Sequence, residues 1–437
     1  MFRIGCGAGF SSDRLEPAID LVREGALDVI VFECIGERTM AFGHRDRRAD
    51  PRKGYNAFLE RRMRSVLPAA RASGTRIVTN MGVANPRAAG EATVAVAREL
   101  GLAGLRVAVV EGDDVLARLD PESELWETSR PLRELAVRPV GANAYLGIDA
   151  VLPALRVEAD VIVSGRVADP SLFLAPLAHR YGWRSDDWQR LGRGTLVGHL
   201  LECGMQVTGG YFADPGYKDV PGLARCGYPI AEVAADGGAV ITKLATAGGC
   251  VTPETVREQL LYEVHDPSRY LTPDVTADFS QVEIATEAAD RVAVSGAGGQ
   301  PRPDRLKVTL ACDGGFLAEG GISYAGPGAL ARAELARDIL RERLGPAPRL
   351  DLIGVDSIHG TAGRRTLAEP YEARLRAALR TATREEAELM LWEVEALLCC
   401  GPAGGCGYRG AITPSVVTYS TTIDRAAVEP SVTVLVA

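Results

Sequence analysis

The sequence predicts an α/β fold: a mostly parallel sheet with helices on both faces, plus a smaller α+β region. Three observations carry this. Five short apolar runs rich in Val and Ile occur before residue 166. Helix-like segments separate them, as a βα alternation requires. The runs are continuous rather than alternating, which marks strands covered on both faces. A doubly wound sheet is the favoured form, and a partial barrel is the alternative.

Residues 2–5 (FRIG) read as a short strand followed by the glycine-rich turn Gly5-Cys6-Gly7-Ala8-Gly9. Residues 13–25 are helix-like, with Ser12 or Asp13 as cap and Gly25 as stop. A buried strand over 27–36 (LDVIVFECIG) precedes a helix over 55–74 that ends at Gly74. The alternation continues with a strand over 75–82, a helix over 87–101 and a strand over 105–114. After an irregular stretch come a helix over 147–157 and a strand over 159–165. From about residue 181 the chain becomes glycine-rich.

Residues 226–345 have a different character. They show a strand–turn–strand about Asp236-Gly237-Gly238 and a helix capped by Thr252 or Thr255. Alternating segments over 305–326 suggest antiparallel strands with one wet face, and an amphipathic helix covers 328–345. The remainder adds one long helix (REEAELMLWEVEALLCC) and the strands SVVTYSTTI and SVTVLVA. The expected domains are 1–225, an α/β domain with a strand-end crevice, and 226–437, a mixed α+β substrate-covering domain. The C-terminal strands of the second are expected to share the main core.

Composition excludes several function classes. A net charge of -8 argues against binding a nucleic-acid backbone, which needs a basic face. No stretch reaches the ~18 apolar residues that would cross a bilayer, and "MFRIGCGAGF" lacks signal-peptide anatomy. The nine cysteines are scattered and odd in number, which argues against a disulfide framework. The expectation is a cytoplasmic, thiol-reduced homo-oligomer with a small-molecule substrate and no nucleic-acid or membrane partner.

In α/β folds, ligands bind beyond the carboxyl ends of the parallel strands. The residues placed there are the 5–9 turn; Glu33, Cys34 and Glu37; Asn80, Met81, Gly82 and Asn85; Glu111, Asp113 and Asp114; and Ser164, Gly165, Arg166 and Asp169. Polar loops are common, but glycines, Asn, Glu and Arg gathered at one sheet edge point to a shared crevice. Arg166 and Asp169 pose the sharpest case, because buried strands seldom end on a guanidinium and a carboxylate three residues apart. Glu33 is the favoured base, Asn80 a neutral donor, Arg166 an anion or oxyanion holder and Asp169 its orienting partner.

The turn at Gly5, Gly7 and Gly9 follows a strand and precedes a helix, but lacks the third position of a dinucleotide fingerprint. Close backbone packing is the leading account, and amides facing an anionic substrate group are the alternative. Cys6, Gly7 and Gly9 are therefore candidate substrate contacts, as are Asn85, Glu111, Tyr211 and Arg409. His199 and Glu202 could share a helix face as an acid–base pair, which adds His199 to the catalytic candidates. No metal site is expected: neither His199 nor the tail "CCGPAGGCGYRG" (399–410) has ligands at metal-binding spacing. A structural turn is the leading account of that tail, with Arg409 facing an anionic group as the alternative and Cys406 open as a nucleophile.

The segments "GCGAGF", "FECIGE", "TNMGVANP", "SGRVADPSLFLAPL", "ECGMQVTGGYFADPGYKDVP", "LLYEVHDPSRYLTPDVTADF" and "ISYAGP" together resemble the acyclic terpene utilisation protein AtuA family, from about residue 3 to beyond 340. The resemblance implies a role in citronellol and geraniol breakdown, on branched acyl-CoA intermediates. Cleavage of acetate from a 3-hydroxy-3-isohexenylglutaryl-CoA-type compound is the step it suggests. Longer relatives carry a small C-terminal domain, which implies a separate small protein of that kind as a partner here. It transfers no catalytic residues.

The functional expectation is a carbon–carbon lyase or hydratase acting on a branched acyl-CoA or small carboxylate. It carries no tightly bound cofactor, and CoA enters only as part of the substrate. Two alternatives remain: an amide or thioester hydrolase with Cys6 or Cys34 as nucleophile, and a non-catalytic subunit of a catabolic complex.

Overall fold

All five apolar runs form strands: Phe2–Ala8, Val29–Phe32, Arg76–Thr79, Arg106–Glu111 and Val161–Ser164. They are seen in a computed structural model that describes residues 1–360, 362 and 370–437. Nearly every residue of these strands is buried, as covering on both faces demands. The five run parallel, and their spatial order is first, second, third, fifth, fourth.

That order decides where the helices go. The chain advances through three neighbouring strands, skips one place to lay down the fourth, then turns back to insert the fifth. A right-handed crossover made in the reverse direction puts its helix on the opposite face. Glu16–Glu24, Leu59–Ser73 and Pro86–Glu99 accordingly share one core with Ile30, Ile77, Val161 and Val163. Ile148–Arg156, Asp169–Tyr181 and Trp188–Glu202 meet the sheet on the other face, where alternate residues such as Val31, Val78 and Ile162 point. One further helix, Glu37–Ala49, fills a stretch whose sequence carried no clear periodicity.

The sheet as a whole is mixed, not mostly parallel. Pro229–Val233 pairs antiparallel with Phe2–Ala8, and Ala239–Lys243, Arg291–Ser295 and Glu283–Ala288 extend that side. Ser431–Val436 closes the other edge, antiparallel to Arg106–Glu111. The result is an open ten-stranded sheet, and no barrel forms among the described residues. The reason is loop length: parallel neighbours need a crossover of about a dozen residues. Only residues 234–238 join Pro229–Val233 to Ala239–Lys243.

The chain divides into two compact units, Met1–Ala311 with Thr418–Ala437, and Cys312–Val417. The first holds the ten-stranded sheet. In the second, Glu372–Thr381 pairs antiparallel with Arg349–Ile353 and with residues 316–325. Ala329–Leu344 and Arg384–Cys400 cover these strands through Ile322, Leu340, Leu375, Met390 and Val394. The 305–326 segment, expected to form antiparallel strands, is one continuous strand, Arg305–Ala325. Among the described residues no helix is long and apolar enough to cross a membrane.

Trp188–Glu202 approaches its neighbours through glycines. A Cβ at Gly192 would collide with the backbone of Gly298 and Gly299. Gly192→Ala is expected to destabilise the first unit by about 1–3 kcal/mol, the usual cost of overpacking. A lowered midpoint in chemical denaturation checks this; an unchanged midpoint would mean that the helix has room to shift.

Candidate functional site

Arg76–Thr79 and Val161–Ser164 are neighbours whose following helices leave on opposite faces of the sheet. Such a switch point, beyond the carboxyl ends of the strands, is where α/β folds bind their ligands. Asn80 directly follows the first of these strands, and Gly165-Arg166 the second, while Asp169 begins the next helix. Glu33 follows Val29–Phe32, one strand away.

Arg166 is 4% exposed, and its environment is built around its charge. Nη1 donates to the Ile35 carbonyl at 2.7 Å and lies 3.1 Å from Asp169 Oδ1. Nη2 donates to Asp169 Oδ2 at 3.4 Å, and the guanidinium carbon sits 4.0 Å from the centre of the Tyr145 ring. Burial works against the cation, but Asp169 and then other nearby groups including Glu33 outweigh it and raise the Arg166 pKa. The backbone is pinned as well. Arg166 N–H donates to Asp113 Oδ2 at 2.7 Å, and Asn143 Nδ2 donates to the same oxygen at 2.8 Å. Buried His44 completes the chain, with Nε2 2.5 Å from Asn143 Oδ1.

Glu33 is 6% exposed. Its Oε1 accepts from the Ile35 N–H and from Asn80 Nδ2, both at 2.8 Å. Asn80 Oδ1 in turn accepts from the Cys34 N–H at 2.8 Å, so both ends of that amide are used to hold Glu33. Among the described residues Glu33 Oε2 has no such partner. Burial, then the Asp169 charge, push the Glu33 carboxyl well above its ordinary range; Arg166 and Asn80 pull the other way. Asp169 is also raised, chiefly by burial, although Arg166 opposes it. Its side chain is 31% exposed, which leaves it the more accessible of the two.

A second carboxylate behaves oppositely. Burial favours a neutral Glu37, but the Tyr145 hydroxyl (2.6 Å), Lys307 (3.1 Å) and Arg166 outweigh it and hold the carboxyl at about 2. Lys307 Nζ lies 4.7 Å from the centre of the Tyr145 ring, whose face Arg166 also uses. Tyr145 therefore carries two cations and bonds the carboxylate that balances them.

His199 and Glu202 lie next to this site. A Cβ on Gly9, just past the first strand, would strike the backbone of Glu202 and Cys203. His199 Nε2 lies 3.1 Å from the Leu260 carbonyl, which can only accept, and Nδ1 lies 3.1 Å from Glu202 Oε1. Burial pushes Glu202 up to about 7, with His199 pulling down.

Glu33, Asn80, Arg166 and Asp169 thus share one network, and His199 sits close by. The other expected contacts are more scattered. Cys6 is fully buried with its thiol on the Ala8 carbonyl. Gly7 packs on the Phe32 ring, and the first helix begins only at Glu16, so the glycines belong to the strand and its exit rather than to a phosphate cradle. Asn85 caps Pro86–Glu99 and also donates to the Pro51 and Lys53 carbonyls. Glu111 ends its strand half-buried, and Tyr211 is 86% exposed. Arg409 belongs to the second unit, where its guanidinium bonds the Tyr408 carbonyl. Cys399, Cys400 and Cys406 are exposed.

The sequence reading missed Tyr145, Asn143, Lys307 and Thr309. Tyr145 stands in a stretch without periodicity. Lys307 and Thr309 alternate along Arg305–Ala325 and both reach Tyr145, the latter at 3.2 Å. Period-two spacing places those two on one face, but their partner lies over 160 residues away.

Comparison with known families decides identity. A model of the acyclic terpene utilisation family protein AtuA matches residues 2–434. The chain belongs to the AtuA family. The match spans nearly the whole chain, so it includes every residue of this network. The description ties AtuA-family chains to the utilisation of acyclic terpenes. No curated protein and no solved structure matches.

The buried carboxyls of this AtuA-family chain set a pH dependence. Burial pushes Asp113 and Asp274 up to about 6 and Glu202 up to about 7; in an unfolded chain such groups titrate near about 4. Between about pH 4 and 7 the folded state therefore holds more protons, and their contribution to stability is lost as pH rises. Glu202→Gln removes one such group. The wild type is expected to lose stability relative to this variant as pH rises from about 4 to 7, read from denaturation midpoints. A pH-independent difference between the two would contradict the buried Glu202 proton.

Proposed function

We propose that the protein is a lyase acting on a branched acyl-CoA or a closely related small carboxylate by acid–base chemistry. The observation that carries this reading is the placement of two carboxyls, Glu33 and Asp169, against one buried guanidinium at the switch point. Two carboxyls in one low-dielectric site do not both ionise readily. Asp169 touches Arg166 directly and so takes the negative charge, while Glu33, held by the neutral Asn80 amide, keeps a proton.

This division of protons suits cleavage of a 3-hydroxyacyl thioester. Asp169 accepts the proton of the 3-hydroxyl, the C2–C3 bond breaks and C3 becomes a carbonyl. The bond's electron pair passes to C2 and the thioester carbonyl as an enolate, which Arg166 stabilises through the unpartnered Nε–H. Glu33 then delivers its proton to C2. The same pair would serve removal of water, with base and acid acting on C2 and the hydroxyl. Neither step needs a group beyond these side chains, and CoA enters as the substrate's handle.

Hydrolysis by a cysteine finds less support. Burial pushes Cys6 well up and Cys34 up to about 12, even with Arg62 Nη1 at 2.7 Å, whereas a nucleophile needs the thiolate.

Incubation of the purified protein with a panel of branched 3-hydroxyacyl-CoAs, followed by mass analysis, is expected to show the two cleavage products. Glu33→Gln should lower turnover by about 10²–10⁴-fold, the usual worth of a general acid or base, while the variant still unfolds cooperatively in chemical denaturation. Absence of product across the panel would sink the acyl-CoA assignment. Full pathway flux with the Glu33→Gln protein would favour a non-catalytic subunit.

A further inference from the structure

Glu16–Glu24 and Leu59–Ser73 pack against each other, and neither has a side-chain cap at its N-terminus. A cavity of about 210 Å³ lies at these two helix starts, lined by Ser12, Asp13, Arg14, Phe58, Arg61 and Arg62, among others. Helix N-termini carry partial positive charge and inward-facing N–H groups, which favour an anion. The side chains add to this. Three guanidiniums face two carboxylates, Asp13 and Glu16, and one of those carboxylates is already occupied by the Gly9 N–H at 2.8 Å.

Arg62 is the independent sign of a ligand. It is 2% exposed, and its Nη1 and Nη2 are spent on Cys34 Sγ at 2.7 Å and the Asp13 carbonyl at 2.9 Å. Its Nε–H is buried with no partner. Among the described residues none of Arg14, Arg61 and Arg62 is in a salt bridge, Arg14 Nη1 donating instead to the Ala224 carbonyl at 2.8 Å, although ion-paired arginines are common elsewhere. A buried guanidinium without a carboxylate partner is costly unless an anion completes it.

We propose that this cavity is a phosphate-group subsite. A phosphoryl group matches both the arginine fork and the helix N-termini. A second cavity of about 490 Å³ shares the Arg14 and Glu16 walls and is lined by Pro17, Leu21, Tyr228 and Leu244 beside the charged Asp20, Glu24 and Arg225. Its apolar wall suits a nucleoside attached to the phosphates. Because Arg62 touches Cys34, the residue after Glu33, the subsite lies on the same sheet edge as the acid–base network. Assigning the nucleotide to the CoA-type handle of the substrate rests on the proposed acyl-CoA reading; the anion subsite itself does not.

Calorimetric titration of the full chain with inorganic phosphate, pyrophosphate and ADP tests the proposal. Saturable binding is expected, weakened at least about tenfold in the Arg14→Ala/Arg61→Ala protein, since one charge-assisted hydrogen bond is worth roughly that factor. Both substitutions are on exposed side chains, which spares the fold. Tighter binding of ADP than of pyrophosphate would support the subsite with a nucleotide as its source; equal binding would support it with a free phosphate group. Absence of saturable binding for all three, or unchanged affinity in the double variant, would overturn it. Glu33→Gln separates the two readings: it should bind ADP like the wild type whether or not acyl-CoA turnover is ever found.

Discussion

A guanidinium carried to the end of a buried strand must be met by acceptors and by negative charge, or the fold cannot hold it there. Arg166 is in that position, and much of the surrounding structure follows from satisfying it. The Ile35 carbonyl comes from the loop after the second strand, Asp169 from the start of the next helix, and the Tyr145 face from the connection before the preceding helix. Asp113, beyond the fourth strand, pins the Arg166 backbone. One cation thereby ties together segments following several strands of the sheet.

The same cation sorts the carboxyls around it. Burial raises both Asp169 and the more deeply buried Glu33, and the guanidinium opposes that rise at each, through direct contact at Asp169. Glu37 is held ionised by a different set, Tyr145 and Lys307. Three carboxyls in one neighbourhood thus acquire two opposite protonation tendencies, Glu33 and Asp169 raised and Glu37 lowered, from burial and partner choice alone. That separation is what acid–base chemistry at a single site requires.

The strand order sets the switch point. Inserting the fifth strand between the third and fourth sends the helices after Arg76–Thr79 and Val161–Ser164 to opposite faces. The antiparallel strands added at both edges enlarge the sheet without closing it. The switch point therefore remains at the parallel centre.

The apolar runs by themselves determined the five parallel strands, the intervening helices and the edge at which polar residues gather, because buried strands and strand exits leave a local mark in composition. Glu33, Asn80, Arg166 and Asp169 were legible for that reason, and the family resemblance was legible in the segments around them. What only the tertiary structure decided is long-range. The mixed character of the sheet depends on which edges the later strands join, and hydrophobic pattern does not encode edge choice. Tyr145 and Lys307 became part of the site only when a distant strand was laid beside the loop that carries the ring. The structure also gave Asn80 a role that the sequence did not: its amide bridges the Cys34 N–H and Glu33, a pairing set by the register of two parallel strands rather than by any spacing along the chain.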